Sequence, residues 1–218
     1  IDALALTTKT GYIFTFDRAT GKAIYDIVEK PELIDSITDF SSRGPRTDDY
    51  GFKPEVSAPG QQILSASMAT GDEGALSNGT SMASPHVAGA VALIRELYPT
   101  LTSKEIKGLL MTTAKKLTKP KTQVEYPFSS QGAGRIQLTR LANADFFASG
   151  AVSLGLVEVP QKNTLQKSIK IQNLSARIQK IELSFSGNDL VVSLPKTISL
   201  FPGEEKVLNI EIQVVTGE

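Results

Sequence analysis

The stretch from Ser81 to Tyr98, SMASPHVAGAVALIRELY, constrains the fold more than any other part of the chain. Read as a helix, it places Ala83, Val87, Ala88, Ala90, Val91, Ala92, Leu93, Ile94 and Leu97 on nearly every face. A helix that is apolar all round is a buried one, so the spacing predicts a central helix with protein on all sides. Pro99 cannot continue it. Thr102-Ser103-Lys104-Glu105 has the form of a capping box, which opens a second helix with Ile106, Leu109, Leu110 and Thr113 on one face.

The pattern on either side differs. Before the helix, Val56-Ser57-Ala58 ends at the turn dipeptide Pro59-Gly60, Ile63-Leu64-Ser65-Ala66 is a short strand, and Thr70 to Gly79 reads as a loop. After about residue 148 the chain is strands only. Ser168–Gln172, Gln179–Phe185 and Val207–Val214 alternate apolar and polar with period two, and Asn173-Leu174-Ser175, Gly187-Asn188-Asp189 and Pro202-Gly203 supply turns. This predicts a small antiparallel β-sandwich, at about 70 residues short of the ~100 usual for such domains by a final hairpin. Residues 1–34 read as a third section of short strands: Ala3–Leu6, Tyr12–Phe16, a turn at Asp17–Gly21, and Ala23–Val28. The expected division is 1–34, 35–147 and 148–218.

Composition narrows the function. Lys+Arg and Asp+Glu are balanced at 23 each in 218 residues, so no global field favours nucleic acid or an anionic membrane. The absence of cysteine removes disulfides, thiolate metal sites and cysteine nucleophiles. No apolar run reaches the ~18 residues of a membrane span. The carboxylate pairs Asp48-Asp49 and Asp72-Glu73 read as solvated loop residues rather than a cation site. The chain opens at Ile1 rather than Met, as a piece of a longer protein would.

Chemistry concentrates at Asn78-Gly79-Thr80-Ser81. A hydroxyl attacks a carbonyl only with a base to take its proton, an open approach, and donors for the oxyanion. Gly79 permits a sharp turn and leaves room for a substrate. Ser81 falls in the first turn of the helix, where free N–H groups and the positive end of the dipole favour developing negative charge. The same position suits a helix N-cap, and these residues alone leave both readings open. Pro85 is expected early enough in the helix to forfeit only a donor without a helical partner. His86 is the sole histidine. Five residues at 100° each put it about 140° around the helix from Ser81 and ~7.5 Å along it, too far to act as its base. It reads instead as a buried structural histidine with one ring nitrogen hydrogen-bonded.

Gly79-Thr80-Ser81-Met82-Ala83-Ser84-Pro85-His86-Val87-Ala88-Gly89 resembles the segment around the nucleophilic serine of the subtilisin-like serine proteases, the subtilases. Asp39-Phe40-Ser41-Ser42-Arg43-Gly44-Pro45 and Lys53-Pro54-Glu55-Val56-Ser57-Ala58-Pro59-Gly60 resemble the two blocks preceding it in that family, in the same order. Gly132-Ala133-Gly134-Arg135-Ile136 is similar to the block that closes the catalytic domain. The resemblance covers about 35–145. It implies the C-terminal part of a three-layer α/β domain, followed by a fibronectin-like sandwich.

By this resemblance Ser81 is the nucleophile of peptide-bond hydrolysis, its own N–H an oxyanion donor, and Thr80 and Gly79 support that site. His86 and Pro85 are structural. The family order is Asp, His, oxyanion Asn, then Ser, and no histidine precedes Ser81. The missing members are expected upstream of Ile1, with Asp2, Asp17, Asp26, Asp35 and Asp39 candidates by residue type only. The fragment alone is expected to be inactive and to need the upstream part of the same protease. The resemblance also implies polypeptide substrates, an extracellular or cell-surface location, no identified cofactor, and calcium as an option in the intact protein. A non-catalytic interaction module on the same scaffold is the alternative. Residues 1–34 fit the end of a protease-associated insert. Lys9–Lys22 also looks like a blade hairpin of quinoprotein dehydrogenase propellers, a reading that explains nothing after residue 34.

Overall fold

Two helices, α1 (Thr80–Leu97) and α2 (Ser103–Thr113), form the floor of the first core. The computed structural model describes residues 3–7, 13–17, 36–149, 152–157, 164–187 and 189–214, the first two segments by their backbone alone. α1 stops ahead of Pro99, with the Tyr98 N–H donating to Ile94 O (2.7 Å). The capping box opens α2 as expected. Thr102 N–H and Oγ1 both donate to Glu105 Oε2 (2.7 Å each), and Glu105 N–H returns to Thr102 Oγ1 (3.4 Å). Ile106, Leu109, Leu110 and Thr113 are all buried on its inner face. Ile106, Leu109 and Leu110 pack with Ala90 and Ile94 of α1, Leu101, Ile136, Leu141 of α4 (Leu138–Ala142) and Phe147. The short helix α3 (Phe128–Gln131) precedes Gly132.

The expectation that α1 is buried on every face is not met. Only His86, Ala90 and Ile94 are buried, one stripe at four-residue spacing, while Leu93 and Leu97 are 42% and 51% exposed. Among the described residues, α2, α4 and the loop around Val56 and Ala58 cover one side of α1. Leu93 and Leu97, on its remaining surface, stay exposed there.

The described part combines these helices with antiparallel sheets. β1 (Ala3–Thr7) pairs with β2 (Ile13–Asp17), Leu4 opposite Phe16. The rest of the expected turn and the strand at Ala23–Val28 lie outside the described residues. β3 (Ile63–Ala66) pairs with β4 (Gly74–Ser77), Ile63 opposite Ser77. β4 corrects the reading of Thr70–Gly79 as loop throughout: Gly and Ala have weak strand preference, and pairing to β3 supplies the order.

After α4, a four-stranded sheet of order β5-β6-β10-β8 faces the two-stranded sheet β7-β9. The strands are β5 (Phe146–Ala148), β6 (Leu165–Asn173), β7 (Gln179–Glu182), β8 (Leu190–Ser193), β9 (Thr197–Leu200) and β10 (Glu205–Val214). Ile171 and Leu208 from the larger sheet meet Ile181, Ile198 and Leu200 from the smaller one in a second core. Period-two alternation is plain on β10, where Leu208, Ile210 and Ile212 are buried and Asn209, Glu211 and Gln213 exposed. β5 serves both cores: Phe147, fully buried, lies in the helical core, while Phe146 and Ala148 pack on the second.

Candidate active site at the start of helix α1

The four sequence blocks quoted above are neighbours in space. Gly44 N–H donates to Ser129 O (2.8 Å), just ahead of the Gly132–Ile136 segment. That segment runs beside Glu55–Ser57: Ala133 N–H donates to Glu55 O (2.9 Å), Ser57 N–H to Gly134 O (2.8 Å) and Ile136 N–H to Ser57 O (3.0 Å). On the other side, Lys115 and Arg135 exchange backbone hydrogen bonds, both 2.8 Å. Gly134, at φ 123°, is needed in this sandwich, because a Cβ there would run into the Lys115 carbonyl.

The same segment then delivers the chain to the serine. At Pro59-Gly60 it meets the loop before α1, where Gly79 N–H donates to Gly60 O (2.8 Å). Gln62 N–H donates to Asn78 Oδ1 (2.6 Å). Gly79 is the N-cap residue, with φ 145° and ψ 165° and no side-chain cap. Its positive φ suits a residue without Cβ. This corrects the capping alternative for Ser81. Ser81 sits second in the helix, exposed, with Thr80 ahead of it and Met82 N–H donating to Gly79 O (3.1 Å). No acidic side chain occupies the first turn, so the positive end of the dipole is uncompensated there.

Pro85 is the sixth helical residue, deeper than expected. A residue there would donate to the Ser81 carbonyl, and proline cannot, so that carbonyl lacks its i+4 helical donor. His86 is 5% exposed, on the face of α1 turned to the protein, whereas Ser81 is exposed. Its Nδ1 lies 2.7 Å from Met82 O, an acceptor, so Nδ1 carries the proton and donates. Nε2 is buried with no hydrogen-bond partner. The structure thus brings Gly79, Thr80 and Ser81 together at the helix mouth and leaves His86 apart from them. Sequence reasoning gave no role to Asn78 or Gln62, which brace this mouth. The signal for Asn78 was its place at the head of the quoted motif.

The far end of α1 is tied down as well. Arg95, in its last turn, donates to the Leu101 carbonyl and to Ser103 Oγ (3.5 Å), which joins it to the start of α2. Between the two helices lies a groove of about 270 Å³ floored by Val56, Val87, Val91, Ile106 and Leu110. Asp49 of the Asp48-Asp49 pair accepts from Arg46 Nε (2.7 Å) and Gly51 N–H (2.9 Å), with Arg46 holding its carboxyl well below the usual range. No described helix is long and apolar enough to cross a membrane.

This part of the chain is similar in sequence to known proteins. Residues 31–134 match the model of the subtilase family. Residues 1–39 match that of the glucose/ethanol/alcohol dehydrogenase beta-propeller domain. The minor extracellular protease Vpr of Bacillus subtilis (strain 168) is 35% identical over 181 residues, covering 79% of this chain and 22% of that protein. The subtilisin-like protease SBT3.11 of Arabidopsis thaliana is 39% identical over 122 residues, covering 54% of this chain and 15% of its own length. SBT4.8 of the same plant is 28% identical over 186 residues, 71% of this chain and 26% of its own. The chain therefore spans roughly a quarter or less of these relatives. Through the segment that holds Ser81 and its supporting loops, the chain belongs to the subtilase family.

Proposed function

We infer that this chain is the serine-bearing part of an extracellular subtilisin-like endopeptidase acting on polypeptides. The observation that carries the reading is the placement of Ser81: exposed, in the first turn of α1, behind a loop braced by the Gly60–Gly79 contact. In the reaction, Ser81 Oγ attacks the peptide carbonyl carbon as a base removes its proton. The Ser81 N–H donates to the oxyanion, with Thr80 beside it and the helix dipole adding to the same charge. The C–N bond then breaks, the amine leaves with a proton, and water hydrolyses the acyl-enzyme.

His86, buried and hydrogen-bonded within its own helix, is not that base. It is the sole histidine in the sequence, so the base comes from a part of the protease beyond these 218 residues. The catalytic Asp and oxyanion Asn come from there too, and the chain alone is inactive. The exposed surface of α1 belongs to the three-layer α/β domain completed by that part, and the paired sheets after Phe146 to a fibronectin-like sandwich. The extracellular location follows Vpr by analogy.

A fluorophosphonate probe tests this. The longer protein should be labelled at Ser81, the Ser81→Ala variant should not, and the isolated chain should neither be labelled nor cleave casein. An unlabelled Ser81 in the longer protein points to a non-catalytic scaffold, and turnover by the isolated chain would overturn the missing-base reading.

A further inference from the structure

We propose that the Asn78–Gly79 peptide is a spontaneous modification site whose rate is gated by two hydrogen bonds from the Gly60–Gln62 loop. Asn-Gly is the dipeptide in which a backbone nitrogen most easily reaches the preceding side chain, because the second residue has no Cβ to obstruct it. In the reaction the Gly79 nitrogen attacks Cγ of Asn78. An N–Cγ bond forms, the Cγ–Nδ2 bond breaks, and ammonia leaves with the proton that Gly79 gave up. Water then opens the five-membered imide at either carbonyl to give aspartate or isoaspartate. No oxidant, reductant or cofactor enters.

The fold restrains both reacting groups. Asn78 is exposed, so water reaches it. Its Oδ1 nevertheless accepts from Gln62 N–H (2.6 Å), which fixes the carboxamide. The Gly79 N–H donates to Gly60 O (2.8 Å), and a nitrogen engaged as a donor is not a nucleophile until that bond opens and the proton leaves. Both partners belong to one short loop, directly before the Ile63–Ser77 pair that starts the β3–β4 hairpin. One local opening at the base of the hairpin therefore releases both groups together, and the modification rate reads out that opening. The isoaspartate product adds a methylene to the backbone three residues before Ser81. The gating stands on this geometry and is independent of what Ser81 does.

Mass spectrometry of the 218-residue chain, held in alkaline buffer with and without denaturant, measures isoaspartate at position 78. The unfolded chain should convert at least about tenfold faster than the native one, the factor that about 1.4 kcal/mol of local opening supplies. Gly60→Ala places a Cβ 2.8 Å from the Gly79 oxygen and should accelerate conversion in the native state. Gly89→Ala, whose Cβ meets no atom within 4 Å, should behave as the parent. Equal native and unfolded rates would overturn the gating, and so would a folded Gly60→Ala that converts no faster than the parent. Should Gly60→Ala fail to fold, hydrogen exchange of the Gly79 amide in the parent decides. Conversion that rises with amide opening across sub-denaturing urea supports the gate, and conversion that does not follow it overturns it.

Discussion

Lys170 on β6 ion-pairs with Glu105 in the first turn of α2, and its ammonium also lies 3.0 Å from Glu205 of β10. Glu105 at the same time closes the α2 capping box on Thr102. One carboxylate thus caps a helix and fastens a sheet to it.

Acid sensitivity should follow from that double role. The hydrogen bond from Lys170, then those from Thr102, hold the Glu105 carboxyl down at about 2 against an ordinary 4.5. A depressed carboxylate stabilises the fold fully above its unfolded value and loses that contribution as pH falls through the folded one, here between about 4.5 and 2. Glu105→Gln should cost about 1–2 kcal/mol at neutral pH, after allowance for solvent screening. The cost should shrink towards pH 2, and urea melts across that range measure it.

Phe147→Ala should be far more damaging. The ring is fully buried between α2 and the sheet, and emptying such a site costs about 3–5 kcal/mol. Because β5 belongs to both cores, helix and sheet signals should melt in one transition in the parent. Far-UV circular dichroism of the helices and amide hydrogen exchange of β6 and β10, followed together across urea, check this.

Asn173→Ala should cost about 2–3 kcal/mol or more in a urea melt. The side chain is fully buried, and Nδ2 donates to the carbonyls of Arg177 (2.8 Å), Leu200 (3.1 Å) and Phe201 (3.0 Å). Its Oδ1 accepts from Ser175 N–H (2.9 Å) and Oγ (2.8 Å). Asn173→Asp should be no better, since a carboxylate there would face three oxygens.

Pro85→Ala should stabilise the chain by about 1 kcal/mol or more, by restoring an N–H for the Ser81 carbonyl. Thermal melts test this, and a loss of stability would show that Pro85 packs in a way its helical position does not reveal.

Much of this was legible in the sequence because the signals were local. Thr102 and Glu105 declare a capping box by spacing alone, and Leu208, Ile210 and Ile212 declare a strand by alternation. β8 and β9 escaped because four-residue runs such as Leu190–Ser193 carry too few periods to tell strand from loop. The burial of α1 was overread for a different reason. Apolar faces record what a helix is selected to pack against, and Leu93 and Leu97 stay about half exposed among the described residues. The site divides likewise: Ser81 at a helix start was readable, whereas the bracing of Asn78 by Gln62 depends on a turn that brings residues 16 positions apart together.

The alternation along β5 bears on how such proteins can be recombined. Adjacent side chains of one three-residue strand are committed to different neighbours, so there is no peptide bond near residue 147 at which the helical part and the paired sheets can be parted cleanly. An exchange of C-terminal modules among relatives would have to carry Phe147 with the incoming sheets and fit it to the resident α2. The seam between modules joined in this way is a packing surface that no linker replaces.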